Sequence, residues 1–378
     1  MRKSEKESGI RTEETAMKSR ICFIIGVLAN TGGTERVCTM IANALSDRYD
    51  VTILSTWHMG EPPFDIEESV HVDYLMEPWE GKIYHLFPQY FDWKYRKYLQ
   101  REKFDLCIDV DICLAEHSVP ALKNTRTKLV EWEQFNYLHS ANNPTLKVSQ
   151  SLAMSHCSRL VVLTQQDHDL YHVQGGVPES KLVQIYNASP LIGAQPSPRN
   201  SKLAIAVGRF TEQKGVDLLL RAWSQIEKQS DWRLAIIGSG RDEQSLKKLA
   251  QELQLSRVDF IPSTPDIESW YDKASVFLLP SRYEGFGMVL LEAMAKGLPA
   301  VSFDVVAGPR ELIDDGNTGF LVSLEAGPDG FAEKTLQLFK HKELQDTFSI
   351  NALKKVSRFR IESIRQQWVN MLDEVIAE

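Results

Sequence analysis

The feature that most constrains this chain is a rhythm. Apolar runs of strand length alternate with segments of helical period, and the alternation stops once and then restarts. From residue 20 the order is an apolar run over 21–28, a helix predicted over 34–48 and a second run over 51–55. Strand, glycine-bearing turn, helix and strand in that order begin a parallel, doubly wound sheet. Further strands are predicted at 106–110, 128–132, 160–164 and 182–186, while 57–89 is aromatic and irregular and gives no readable order. Residues 187–201 hold Pro, Gly and Ser without an apolar period, which marks a linker. Beyond it the alternation begins afresh, with strands predicted at 203–207, 233–237, 258–261, 276–279 and 300–303 and helices at 216–227, 241–253 and 287–296. The pattern predicts an α/β protein of two tandem Rossmann-like domains, their parallel doubly wound sheets facing a central cleft. The expected divisions are a loose tail over 1–19, in which Met17 is an alternative start, domains over 20–190 and 200–355, and a closing helical segment over 356–378 that folds back on the first domain.

Composition agrees with two cores. A chain of 378 residues exceeds what one hydrophobic core normally organises, and 43% hydrophobic with 25% charged residues excludes a disordered or collagenous chain. The net charge of −8 supplies no global field for a nucleic-acid backbone or an anionic membrane, so such a partner would need a local patch. The five cysteines form no C-x-x-C pair and lack histidines at zinc spacing, which fits reduced thiols. Residues 1–20 are charged throughout without an apolar signal region, and no stretch approaches 18 apolar residues. The expected location is cytoplasmic.

Three segments carry chemistry. Asn30 to Arg36 (Asn-Thr-Gly-Gly-Thr-Glu-Arg) joins the first strand to the first helix. Glycines there let a diphosphate approach the backbone, and a helix N-terminus offers unpaired N–H groups; the spacing is not that of an ordinary dinucleotide fingerprint, and a mere tight turn is the alternative. Gly208-Arg209 and Lys214-Gly215 follow the first strand of the second half and place two cations five residues apart, fit to clamp two phosphates, although charged loops are commonly just solvated. Glu284 and Glu292 flank a glycine loop and an apolar helix start, and carboxylates are acceptors matched to sugar diols. A helix with an N-terminal acid and a surface glutamate is the bland alternative, weakened by the apolar crowding around Glu292.

Together with Gly308-Pro309-Arg310-Glu311-Leu312-Ile313 and Asp315 to Val322, these segments resemble the donor half of retaining glycosyltransferases of the GT-B fold, family four, the group 1 type. Gly32 to Arg36 resembles their first loop, so the likeness spans nearly all of 20–375. It implies transfer of a hexose or N-acetylhexosamine from a nucleoside diphosphate sugar, a uridine one by the Gly-Pro-Arg-Glu variant, to a glycan or lipid-linked acceptor in surface polysaccharide or lipopolysaccharide synthesis. The first domain would lie on the acceptor side and the second would hold the donor. Arg209 and Lys214 would neutralise the departing diphosphate, Glu284 would hold the donor sugar and Glu292 the ribose. Gly33 would face the diphosphate, backbone N–H groups of Phe286, Gly287 and Met288 would line the pocket, and the base would sit near residues 260–262. No metal or other cofactor is implied.

One position departs from the family. Gln134 stands where related sequences often carry histidine, and glutamine bonds a hydroxyl but cannot carry a proton. His139 is a nearby substitute for sugar or acceptor contact, though a lone loop histidine is more often structural. Asp109-Val110-Asp111 invites a metal reading, but lies in the half that should hold acceptor. Residues 91–103 mix aromatic side chains with cations, and Trp93 to Lys103 fit either a peripheral contact with the inner face of the cell membrane or a helix covering the core. No recognised nucleic-acid module accompanies them. Two other classes compete: an epimerase of the nucleotide sugar, which would act without acceptor, and a non-catalytic sugar-binding protein, which would release no nucleotide.

Overall fold

The structure is a computed structural model that describes residues 18–378, so the tail assigned to 1–19 lies outside the described residues except for its last two. Seven strands, β1 (Arg20–Ile25), β2 (Asp50–Trp57), β3 (Val70–Met76), β4 (Leu106–Val110), β5 (Lys128–Trp132), β6 (Arg159–Val162) and β7 (Leu182–Gln184), form one parallel sheet in the order β3-β2-β1-β4-β5-β6-β7. Six more, β8 (Leu203–Val207), β9 (Arg233–Ile237), β10 (Val258–Ile261), β11 (Val276–Leu279), β12 (Ala300–Asp304) and β13 (Gly319–Ser323), form a second in the order β10-β9-β8-β11-β12-β13. Helices cover both faces of each sheet, which explains the unbroken apolar runs: Ile21 to Ile25 is buried at every position. The two-domain GT-B architecture is therefore present.

The differences from the pattern reading have local causes. Strand β3 escaped notice because it is an edge, and its sequence Val-His-Val-Asp-Tyr-Leu-Met alternates buried with more exposed positions instead of running apolar. Strand β1 stops at Ile25 because the chain turns at Gly26, and Leu28 donates its N–H to Ser55 Oγ at 3.1 Å. The first helix, Gly33–Leu45, ends three residues early in a turn closed by Ser46. Helix Ile361–Ala377 lies against the first domain: Trp368 is fully buried beside Phe23 and Trp132, with ring centroids 6.4 and 4.8 Å away. Tyr49 donates to Asp373 at 2.7 Å, and Arg365 binds both oxygens of Asp47 at 2.7 Å.

Candidate active site

Strand order reverses between β1 and β4 in one sheet and between β8 and β11 in the other, and loops at the carboxyl ends of such strands bound a crevice. Here the turns after β1, β5, β8 and β11 line one cleft of about 470 Å³ between the domains. The domains meet closely across it. A Cβ added at Gly33, in the turn after β1, would lie 3.0 Å from Met288 Cγ, and one at Gly285 would lie 2.1 Å from the Gln134 carbonyl oxygen. Asn136 Nδ2 donates to the Glu284 carbonyl at 2.8 Å beside that approach.

The second-domain wall is built from two turns. Gly215 adopts φ 63°, and the Pro280 carbonyl packs where a Cβ would stand, so the turn after β8 tucks beneath the loop after β11. That approach brings Lys214 Nζ to 2.7 Å from Glu284 Oε1, and Ser281 Oγ donates to the same oxygen at 2.6 Å. The Glu284 side chain is 5% exposed, so its charge is held by a cation and a hydroxyl rather than by bulk water. Arg209 lies exposed in the cleft lining with no ion-pair partner among the described residues. Gly287, at φ 91°, starts helix Met288–Ala295, of which Met288 and Val289 border the cleft with N–H groups that precede the first intrahelical bonds, made by Leu290 and Leu291 to the Gly287 carbonyl.

Glu292 sits one turn along that helix, and its partners within the protein lie outside the second-domain segments that the sequence singled out. Arg36 of the first domain reaches across to Glu292 Oε1 at 2.5 Å, and Tyr271 donates to Oε2 at 2.9 Å. The two cations and two acids of the second domain thus do not form one cluster: Lys214 pairs with Glu284, Arg209 stands apart, and Glu292 takes its cation from the opposite domain. Arg36 was visible in the first loop but drew no role, because nothing local couples it to a residue 256 positions away. Ser281 and Tyr271 were equally silent, and so was Asn187 at the start of the linker. Gln134 and Asn187 are buried in the cleft wall; Asn187 Nδ2 lies 3.5 Å from Gln134 Oε1, and Gln134 Nε2 and Asn187 Oδ1 have no hydrogen-bond partner among the described residues.

His139 is placed differently from Gln134. Its ring stacks between Phe135 and Tyr283, 4.9 Å from each centroid, so it mortars the domain contact and is not part of the cleft lining. Burial holds its pKa below the ordinary histidine value, against the pull of Asp111. At one end of the cleft Ser263, Thr264 and Pro265 line it, whereas residues 260–262 do not, and Phe260 packs edge-on to Phe210, centroids 6.0 Å apart.

Asp109 and Asp111 accept hydrogen bonds from the first domain itself. Asp109 is fully buried and accepts from Ser118 Oγ at 2.7 Å, whereas Asp111 accepts from the Cys113 N–H at 2.9 Å in a turn with φ 96°. Asp109 and Glu131 are register partners on β4 and β5. Asp109 Oδ2 and both Glu131 oxygens are buried with no hydrogen-bond partner among the described residues. Burial pushes both carboxyls upward, which favours their neutral forms. Burial also raises Glu133 to about 8 and Asp167 to about 7. Among the described residues no group of three or more His, Cys, Asp or Glu converges as a metal site.

The family model described as "Glycosyl transferases group 1" matches residues 190–355, and that described as "Glycosyltransferase Family 4" matches 31–190. An uncharacterized glycosyltransferase of Haemophilus influenzae is 31% identical over 360 residues, 93% of this chain and 99% of its own. The Campylobacter jejuni α-1,4-N-acetyl-D-galactosaminyltransferase named for an undecaprenol-diphosphate-linked GalNAc acceptor is 26% identical over 361 residues, 94% of this chain and 99% of its own. Among solved structures, HepE of Anabaena in complex with UDP and glucose superposes with a TM-score of 0.78 at 21% identity, covering 94% of this chain and all of that one.

Proposed function

The chain belongs to the group 1, family 4 glycosyltransferases of the GT-B fold, and from that premise we propose that it moves a hexose or N-acetylhexosamine, with retention of configuration, from a UDP-sugar to a lipid-linked glycan in surface polysaccharide or lipopolysaccharide synthesis. One observation carries the reading: Arg209, the Lys214–Glu284 pair and Glu292 line the same cleft of about 470 Å³, closed from the other side by Gly33 and Gln134. In this proposal Arg209 and Lys214 neutralise the diphosphate, Glu284 accepts from sugar hydroxyls and Glu292 from the ribose. Gln134 Nε2 and Asn187 Oδ1 supply a donor and an acceptor for one further hydroxyl, which would satisfy both buried groups. The uridine donor and the lipid carrier are supported by the UDP bound to HepE and by the undecaprenol named for the Campylobacter enzyme.

The chemistry follows from those roles. The bond between the anomeric carbon and the diphosphate oxygen lengthens first, and two cations in a narrow cleft stabilise the charge that gathers on the leaving group. The acceptor hydroxyl approaches on the same face, its oxygen bonds to the anomeric carbon, and its proton passes to an oxygen of the departing phosphate. No side chain of the site need carry that proton, which makes glutamine at 134 compatible with turnover.

The acceptor would arrive at a bilayer. Helix Gln89–Glu102 buries Phe91, Tyr95 and Leu99 against the core and leaves Trp93 54% exposed, and Leu86 and Phe87, just before the helix in the chain, are 75% and 63% exposed. An aromatic and aliphatic patch of this kind beside Lys97, whose Nζ lies 4.8 Å from the Trp93 ring, suits peripheral contact with the headgroup region. Among the described residues no helix is long and apolar enough to cross a membrane.

The test is a donor panel of UDP-, GDP- and ADP-sugars with undecaprenyl-diphosphate-linked acceptors, read as nucleotide release and as anomeric configuration by NMR. Release of UDP with an α-linked product from an α-linked donor is expected. An inverted product, or conversion of the donor to another nucleotide sugar without acceptor, would refute the proposal.

A further inference from the structure

We infer that Arg36 is a donor-recognition residue acting across the domain boundary: it orients the Glu292 carboxylate for the nucleotide ribose and so makes ribose recognition depend on domain closure. The inference rests on the proposed assignment of Glu292 to the ribose. Glu292 belongs to the second domain and its side chain is 5% exposed, so its charge requires a partner. The partner is a guanidinium from the first turn of helix Gly33–Leu45, 2.5 Å from Oε1, with Tyr271 donating to Oε2 at 2.9 Å. The guanidinium is itself fixed, its Cζ lying 5.0 Å over the ring of Phe64, which also lines the cleft. The neighbouring acid Glu35 is engaged elsewhere, by Asn30 Nδ2 at 3.3 Å.

The acceptor inventory decides between orientation and competition. A carboxylate offers about four lone-pair sites. Arg36 and Tyr271 occupy one on each oxygen, and a site on each oxygen remains, the number a vicinal ribose diol requires. Arg36 and the ribose therefore share the carboxylate instead of displacing one another. When the domains part, Arg36 leaves with the first domain and Glu292 loses its orienting cation.

The test compares binding of UDP and of dUDP, which lacks the ribose 2′-hydroxyl, to the wild-type protein, Arg36→Ala and Arg36→Lys by titration calorimetry, with melting curves to establish folding and small-angle scattering of each protein alone. Wild type should favour UDP by on the order of 10-fold to 100-fold, the value of a hydrogen bond to a charged acceptor. In Arg36→Ala that preference should fall to within about 3-fold, with an expanded scattering envelope, and Arg36→Lys should recover part of both, since it restores the charge without the planar fork. A purely structural role would weaken both ligands equally and leave the ratio intact. If wild type binds UDP and dUDP alike, the ribose assignment of Glu292 fails and this inference with it. If wild type discriminates but Arg36→Ala discriminates as well, or binds UDP more tightly, the role of Arg36 alone is overturned.

Discussion

Gly285→Ala isolates the closed contact between the domains from the chemistry inside it. An ideal Cβ at Gly285 would lie 2.1 Å from the Gln134 carbonyl oxygen and 2.9 Å from both the Gln134 carbonyl carbon and the Phe135 Cα, whereas ordinary contact begins at 3.4 Å. Relief therefore requires the loops to separate by about 1.3 Å. All three neighbours are backbone atoms, so no rotamer change relieves the clash. The Asn136–Glu284 bond, 2.8 Å long and adjacent to the approach, would break with that movement. Glycine is needed here for close approach and not for backbone freedom, since Gly285 does not have a positive φ. The strain thus falls on two loops at the domain contact and on neither sheet, and the melting temperature should stay within a few degrees of wild type. A displacement near 1 Å at a reacting centre costs ~10²-fold in rate, so kcat for nucleotide release should drop by about that factor while scattering reports a wider cleft. Turnover within about twofold of wild type in a folded Gly285→Ala protein would show that the closed contact is not the reactive arrangement.

Arg209→Ala should leave stability within about 0.5 kcal/mol, as expected for an exposed, unpaired side chain, yet lower kcat/KM for the donor on the order of 10²-fold; steady-state kinetics beside thermal melts separates the two, and unchanged kcat/KM removes Arg209 from the site. Asp109, Glu131, Glu133 and Asp167 have folded pKa values raised by burial, so the folded state binds more protons than the unfolded one above pH ~4 and stability is lost as pH rises toward 7–8. Each such proton contributes about 1.4 kcal/mol per pH unit, so denaturation should show lower stability at pH 8 than at pH 5.5. In Glu131→Gln the slope should shrink by about one proton's worth, because the amide does not titrate; an unchanged slope would show that buried Glu131 takes up no proton on folding. Gln134→His should raise kcat by no more than about threefold, since the leaving phosphate takes the acceptor proton; a tenfold rise with a new limb near pH ~6.5 would show that a proton carrier had been missing.

What the sequence made legible was whatever depends on neighbours along the chain. Strands β8, β9 and β11 were readable to the residue because inner parallel strands, covered on both faces, carry apolar interiors, and β10, an edge with Asp259 inside it, was readable from its place in the alternation. Strand β3 was not, because an edge strand writes half its length for solvent. Within the site, Arg209, Lys214, Glu284 and Glu292 stood out by spacing after strands, and the structure brings all four to one cleft. Arg36, Asn187 and Tyr271 gain their meaning only from the domain contact and from partners 21 to 256 positions distant, which no local pattern encodes. Residues 260–262 do not line the cleft, which Ser263 and Thr264 do, and Phe260 answers to the core of the second domain.

The most direct test of the central claim is single-turnover release of UDP by Glu284→Ala, with circular dichroism and melting confirming that the variant is folded. If Glu284 holds the sugar while Lys214 holds the diphosphate, the rate falls on the order of 10²-fold or more. A folded Glu284→Ala protein that releases UDP at the wild-type rate would contradict the account.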